Sequence, residues 1–292
     1  MTNQLTLEQA LADFLKSLAG KNRSSATVRA YQTDIHQFIT WLHENNMVML
    51  SPTQVERADI TEYLSFLSER KLSGVSRARK VAALREYFRY LVDHSLITAS
   101  PMLGIDTRRR KKHDRTALAR DEYTTMLSYA GANVRDYAIL QVFLQTGLRV
   151  SELVALRIDD VDLVNRIVSV RSGKGMAARS IELERKVTQA IKNYLHTRPR
   201  AISEQLFLNY TQEPISERGM RKMVAKYLKL AGIKKKASCH SLRHTFATAK
   251  AQQGVSAYRL RDWLGHSSLE TTQIYIHLSK QNAQREMEQS SL

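Results

Sequence analysis

Cysteine is almost absent from this chain: its 292 residues include one, Cys239. A single thiol cannot close an internal disulfide or build a multi-cysteine zinc site. This usage suits a reducing cytosol. Long apolar runs are missing too; none reaches the roughly eighteen residues of a membrane span. The start, MTNQLTLEQALADFL, lacks the basic stretch and apolar run of a secretory signal. A cytoplasmic protein is therefore expected. Aromatic residues make up only 7% and fall mostly on apolar stripes, which argues against the stacking platforms of an RNA-binding protein. No cluster of carboxylates suggests metal-assisted nuclease chemistry. Internal repeats and low-complexity segments are lacking as well.

What the chain has in excess is positive charge. Lys and Arg number 45 against 28 Asp and Glu, a net +17. Such an imbalance points to a polyanionic partner, nucleic acid or an acidic membrane surface. The blander alternative is a generally basic soluble protein. The 43% hydrophobic content is ordinary, so a buried core is expected. The length suits one large domain or two of ordinary size.

Taken in order, residues 4–19 carry Leu7, Ala10, Leu11, Phe14, Leu15 and Leu18 at helical spacing. Ser24-Ser25-Ala26-Thr27 offers caps for a second helix with Ile35, Phe38, Ile39 and Leu42 on its stripe. Ser51-Pro52 breaks the pattern. Ile60, Tyr63, Leu64 and Leu67 mark a third helix, and Val81, Leu84, Phe88 and Leu91 a fourth. Four helices with short connections predict a small bundle over residues 1–100. Arg77, Arg79, Lys80, Arg85 and Arg89 line the start and one side of its last helix. They read either as a solvated face or as DNA-backbone contacts. Residues 101–117 read as a linker, with Pro101 and Gly104 stopping the helix. It contains the run Arg108, Arg109, Arg110, Lys111, Lys112, which suits a strap across DNA or a plain solvated linker.

Residues 118–292 form a second predicted domain. Two helices lead to Gly147, a helix stop, and SELVAL begins another. The periodicity then changes. Residues 158–161, 167–170 and 180–183 are short and rich in β-branched types, which predicts a three-stranded antiparallel sheet. Lys174 lies on the SGKG turn between its last two strands. Helices are expected at 185–197, at 216–231, from His240, around 258–264 and around 269–276. The predicted fold is mainly α with a small antiparallel sheet.

The chemistry concentrates in SCHSLRHTFATAKAQQGVSAYRLRDWLGHSSLETTQIYIH, which holds His240, Arg243, His266 and Tyr275. Arg149 in TGLRVSEL and Lys174 lie upstream. Arginines supply charged planar forks for phosphate oxygens. Histidine and lysine move protons, and tyrosine can form a covalent intermediate. This set can attack a phosphodiester without a metal. Taken singly, each residue has a blander reading. Arg149 could be a surface ion-pair partner, His266 a structural histidine, Lys174 an exposed lysine and Tyr275 a core aromatic. Cys239 reads as structural. Gly173-Lys174-Gly175 lacks the spacing of a phosphate-binding P-loop.

The blocks TGLRVSEL, HSLRHTFAT, LGHSS and TTQIY resemble the tyrosine recombinases, the phage-integrase family, and within it the Xer-like branch. That resemblance implies an N-terminal helical core-binding bundle and a C-terminal α+β catalytic domain. It implies Tyr275 as nucleophile, His240 as proton acceptor, Lys174 as general acid, and Arg149 and Arg243 as the phosphate clamp. His266 would bond the scissile phosphate, and Glu152 would be a supporting carboxylate. It further implies a 3′-phosphotyrosyl link, strand exchange through a Holliday junction, and a tetramer on paired duplex core sites. No cofactor is implied. The expected setting is a prokaryotic cytoplasm, associated with the nucleoid, with accessory proteins or a partner recombinase possible. Resolution of replicon dimers or transposon cointegrates is the expected role. The alternatives are an element integrase, a type IB topoisomerase and a non-catalytic DNA-binding regulator.

Overall fold

The computed structural model describes residues 5–21, 23–45, 51–105, 117–171, 178–200 and 203–265. The chain divides into two compact units, Met1–His113 and Asp114–Leu292.

The first unit is built on four helices. α1 (Leu7–Gly20) starts at Thr6, whose hydroxyl accepts from Gln9 N while Gln9 Oε1 accepts from Thr6 N. This reciprocal cap satisfies two N–H groups that the first turn would otherwise leave orphaned. α2 (Ser25–Glu44) is capped by Ser24. A 3-10 turn at Pro52–Gln54 precedes α3 (Arg57–Glu69), and α4 (Gly74–Asp93) starts from Ser73. Their apolar stripes meet in one core around Ile35, Phe38, Tyr63, Leu84, Tyr87 and Phe88. Phe38 packs edge-on against Tyr63, with ring centroids 5.1 Å apart. The Tyr87 hydroxyl donates to Leu7 O at 2.9 Å, tying α4 to the start of α1. Burial pushes the Tyr63 phenol up to about 12, helped by the charge of Asp34, so it stays neutral.

One expected surface cation is corrected here. Lys80 is buried, and its ammonium donates to Asp34 Oδ1 at 3.0 Å and to Gln37 Oε1. It falls in helical phase with Leu84, Tyr87 and Leu91, all fully buried, so its stem must enter the core. An ammonium taken there needs a carboxylate, and Asp34 on α2 supplies one. Lys80 is therefore an internal tether of α2 and α4 and not a solvated contact.

In the second unit the central element is α6 (Val134–Thr146), which follows α5 (Arg120–Ala130). Ala138, Ile139, Leu140, Val142 and Phe143 on α6 are all fully buried. Such all-round burial comes from packing against α8 (Arg185–Thr197) and α10 (Cys239–Gln252) as well as α5. α7 (Val150–Ala155) is one short piece after Gly147. The sheet is antiparallel, in the order β1 (Val161–Asp162), β2 (Ile167–Val170), β3 (Arg179–Glu182). The first strand is shorter than expected. Residues 158–160 form a 3-10 turn closed by Arg157 N donating to Asp160 Oδ2 at 2.8 Å. Asp160 caps that turn and takes it out of the sheet.

α9 (Glu217–Leu230) and α11 (Ala257–Leu264) complete the described elements. Leu118 N donates to Thr245 Oγ1 at 2.8 Å, tying the start of this unit to α10. The helix expected at 269–276 lies outside the described residues. No helix among the described residues is long and apolar enough to cross a membrane.

Candidate active site

Gly147 sets the corner from which the site is built. It ends α6 with φ +62°, the left-handed conformation that glycine adopts without strain. A Cβ there would lie 2.3 Å from Phe246 Cδ1, so α10 also needs a glycine at this point. Two residues on, Arg149 is the N-cap of α7. Glu152, in the third position of that helix, reaches back to accept from Arg149 N at 2.8 Å. The same carboxylate accepts from Arg149 Nη1 at 2.9 Å and from Arg179 Nη2 at 2.8 Å. Arg243 Nη1 stands 3.9 Å away. Burial by itself would push the Glu152 carboxyl up. The hydrogen bonds from Arg179 and from the Arg149 backbone, with both guanidinium charges, outweigh burial and hold it below the ordinary carboxylate range.

The three arginines share a second target. Arg179 Nε donates to Trp263 O at 2.7 Å, Arg243 Nη2 to Leu264 O at 2.5 Å, and Arg149 Nη2 to Gly265 O at 2.9 Å. Three consecutive carbonyls at the C-terminal end of α11 are thus each met by a different guanidinium. The end of a helix leaves carbonyls unsatisfied and carries partial negative charge, so cations are favoured there. Arg243 also donates to Gly147 O at 2.7 Å and is buried. α6, α7, α10, α11 and β3 are therefore joined around one carboxylate and one helix end.

Beside this collar lies an open depression of about 370 Å³, lined by Arg149, Ser151, Arg221, Cys239, His240 and Arg243 among others. His240 is exposed on the first turn of α10, whose N-cap is Ser238. The positive end of that helix borders the depression, a place that favours an anion. Arg149, His240 and Arg243, expected to act on one phosphate, therefore line one depression. Burial pushes the Cys239 thiol up to about 11, so it stays protonated and unreactive. His244 is buried and does not line the depression.

Lys174, His266, Tyr275 and the run Arg108, Arg109, Arg110, Lys111, Lys112 lie outside the described residues. In the first unit, Arg77 donates to Ser68 Oγ at 2.8 Å and Arg85 to Ile105 O at 2.7 Å. Arg79 pairs with Asp34 at 2.5 Å, and Arg89 pairs with Glu86.

Two features escaped the sequence reading. Arg179 shares the strand face of Ile181, which is buried. A charge on the apolar phase of a strand needs an internal partner, and that was the available signal. The other is α9, where Arg218, Lys222, Lys226 and Lys229 are exposed opposite the buried Met220, Met223, Val224 and Tyr227. Arg221, at the rim of the depression, pairs with Glu217 on the same helix.

Comparison with known proteins agrees with this geometry. Residues 116–282 match the phage integrase family, and residues 11–95 match the phage integrase N-terminal SAM-like domain. A tyrosine recombinase of Pseudothermotoga lettingae is 35% identical, over 94% of this chain and 96% of its own. Tyrosine recombinase XerD of Listeria innocua is 32% identical, over 94% and 95%. Tyrosine recombinase XerC of Thermodesulfovibrio yellowstonii is 34% identical, over 88% and 87%. Among solved structures, XerA recombinase is similar with a TM-score of 0.57 at 30% identity, covering 98% of this chain and 99% of its own. The Tn1549 transposon integrase in complex with circular intermediate DNA has the same fold, with a TM-score of 0.78 at 22% identity over 97% and 99%. With both units matched and the arginine site assembled, the chain belongs to the phage integrase family, the tyrosine recombinases.

Proposed function

We propose that this chain, a site-specific DNA recombinase of the tyrosine class, cleaves duplex core sites by attack of Tyr275 on the scissile phosphate. The Tyr275 oxygen forms a bond to phosphorus, and the bond to the 5′ oxygen breaks. The phenol has an ordinary pKa of about 10, so it needs a base, and His240 takes its proton. Lys174 protonates the departing 5′ oxygen. Arg149 and Arg243 hold the non-bridging oxygens, where charge builds up in the pentavalent transition state. His266 adds a hydrogen bond to the same phosphate, and Glu152 orients the arginines.

The 3′-phosphotyrosyl link keeps the energy of the phosphodiester. A 5′-hydroxyl from a second duplex can therefore attack it and reseal the strand without ATP. Two such rounds, through a Holliday junction in a tetramer on paired sites, complete an exchange. The exposed cations of α9 and the run at 108–112 suit contact with the DNA backbone. The role we assign is resolution of replicon dimers or transposon cointegrates.

The observation that carries this reading is the meeting of Arg149, His240 and Arg243 on one depression at the N-terminal end of α10. The test is a nicked candidate core site, incubated with the full chain and with Tyr275→Phe, without metal or ATP. A protein–DNA adduct through the 3′ end, lost in Tyr275→Phe, is the expected result. Tight binding without an adduct on a verified site would point instead to a non-catalytic regulator. Relaxation of supercoiled DNA lacking any paired site would point to a topoisomerase.

A further inference from the structure

Arg179 bonds the same carboxylate and the same helix end as the two arginines of the clamp, yet no step above uses it. Its guanidinium reaches two other elements at once. Nε donates to Trp263 O at the end of α11, and Nη2 donates to Glu152 on α7. Its flat face also covers Gly265. A Cβ at Gly265 would stand 2.9 Å from Arg179 Nη1 and 3.1 Å from Cζ. Gly265 has φ +58°, so both its conformation and this close approach require glycine. The arginine comes from the first residue of β3. There it pairs with Val170, the last residue of β2, and these two are the end pair of the β2–β3 ladder, on either side of Lys174 in the sequence.

We propose that Arg179 is a positioning residue of the cleavage step: it locks the end of the β2–β3 ladder, Glu152 and the C-terminal turn of α11 into one frame, within which Arg149 and Arg243 are held. The proposal rests on the recombinase reading. The physical reason is geometric. Arg149 and Arg243 each bond one carbonyl of that turn and face Glu152, so a shift of either the turn or the carboxylate moves both forks. Arg179 is the cation that bonds the turn and the carboxylate from the sheet side, and its side chain is only 9% exposed. A planar fork can span both acceptors while lying flat on Gly265. A lysine ends in a single point charge and has no planar fork to reach both acceptors while lying flat on Gly265.

The experiment is single-turnover cleavage of the nicked core site by the full chain carrying Arg179→Lys or Arg179→Met. Arg179→Lys keeps the charge and guards against a fold that fails. Adduct formation per bound complex is expected to slow by about 10- to 100-fold, the usual effect of a small misplacement. DNA affinity should stay close to wild type, and Arg179→Lys should remain folded at the assay temperature. A merely structural arginine would not alter the pH profile, and this one should. In Arg179→Met, Glu152 still faces Arg149 and Arg243 but has lost the Arg179 hydrogen bond and charge that help hold its carboxyl low. Its carboxyl then rises, and cleavage falls as the pH drops through a range where wild type is flat. Arg179→Met combined with Glu152→Gln should abolish that acid limb.

Wild-type cleavage by Arg179→Lys would overturn the proposal. So would a slowing that only tracks lost DNA binding or unfolding. Amide hydrogen exchange supplies a second readout that needs no cleavage. Exchange in residues 259–265 should speed up in Arg179→Lys while the α6 core keeps its protection, and unchanged protection there overturns the proposal. If wild type forms no adduct, the recombinase reading fails, and the exchange result still decides whether Arg179 holds the turn.

Discussion

A carboxylate in each unit faces more than one cation, and the two clusters serve different ends. In the first, Asp34 on α2 meets Lys80 and Arg79 on α4. Lys80 is sunk in the core, and its charge is consumed in holding two helices together. In the second, Glu152 meets Arg149 and Arg179, with Arg243 at 3.9 Å, and these come from three separate elements. One carboxylate set against three guanidiniums leaves a local excess of positive charge. That excess sits beside an open depression and next to the positive end of α10. The buried Asp34–Lys80 pair, whose second cation Arg79 is half exposed, ties two helices together. An unbalanced cluster at a cavity is arranged for an anion that arrives from outside.

The contrast can be broken most sharply at Arg243. Arg243→Ala should lower cleavage by about 10²- to 10³-fold or more, the scale for losing one donor aimed at transition-state charge. Binding to the core site, followed by gel shift, should change far less, because this contact matters most once charge has built up. Equal losses in cleavage and binding would remove Arg243 from that role. The matching change in the first unit should act on stability. Asp34→Asn strands a buried ammonium and should cost about 3 kcal/mol in denaturant unfolding. Asp34→Leu with Lys80→Met should recover most of it, since a buried ion pair exchanged for apolar groups is often neutral. A harmless Asp34→Asn would mean that the first cluster is no tether.

The smallest effect concerns pH. The folded state holds the Glu152 carboxyl below its ordinary value of 4.5. Its contribution to stability is therefore fully present above that value and is lost as the pH falls through the lowered one. Glu152→Gln lacks this titration. The wild-type advantage over Glu152→Gln, about 1–3 kcal/mol at neutral pH, should shrink as unfolding is followed from pH 7 down to pH 3. A constant difference across that range would show that Glu152 is not the group held ionised.

Much of the fold could be read along the chain because its helices are amphipathic and well punctuated. The helix expected at 185–197 spans Arg185–Thr197, and Gly147 ends α6 as expected. Periodicity failed where a polar side chain took over from the apolar pattern. Residues 158–161 have β-branched Ile158 and Val161 at their edges, yet Asp160 caps its own turn and keeps 158–160 out of the sheet. The charge of Lys80 suggests the surface, but its helical phase with Leu84 and Leu91 places it inside. Of the site, the motif contexts of Arg149, Glu152, His240 and Arg243 were legible. Arg179 was not, because it stands outside those blocks.

The sequence by itself determined the family, the helical stripes with their caps, and the residue types able to attack a phosphodiester. These follow from local spacing and composition, which a chain carries before it folds. Only the tertiary structure decided what each charge is for. Lys80 and Arg243 are both basic side chains on amphipathic helices, and both are buried. One meets a carboxylate between two helices, and the other meets a helix end beside a cavity. The difference is set by what packs opposite them, and those partners lie 46 residues away for Lys80 and 96 and 21 residues away for Arg243. Local spacing carries no record of such pairings, because burial and electrostatics act only between groups that folding has brought together.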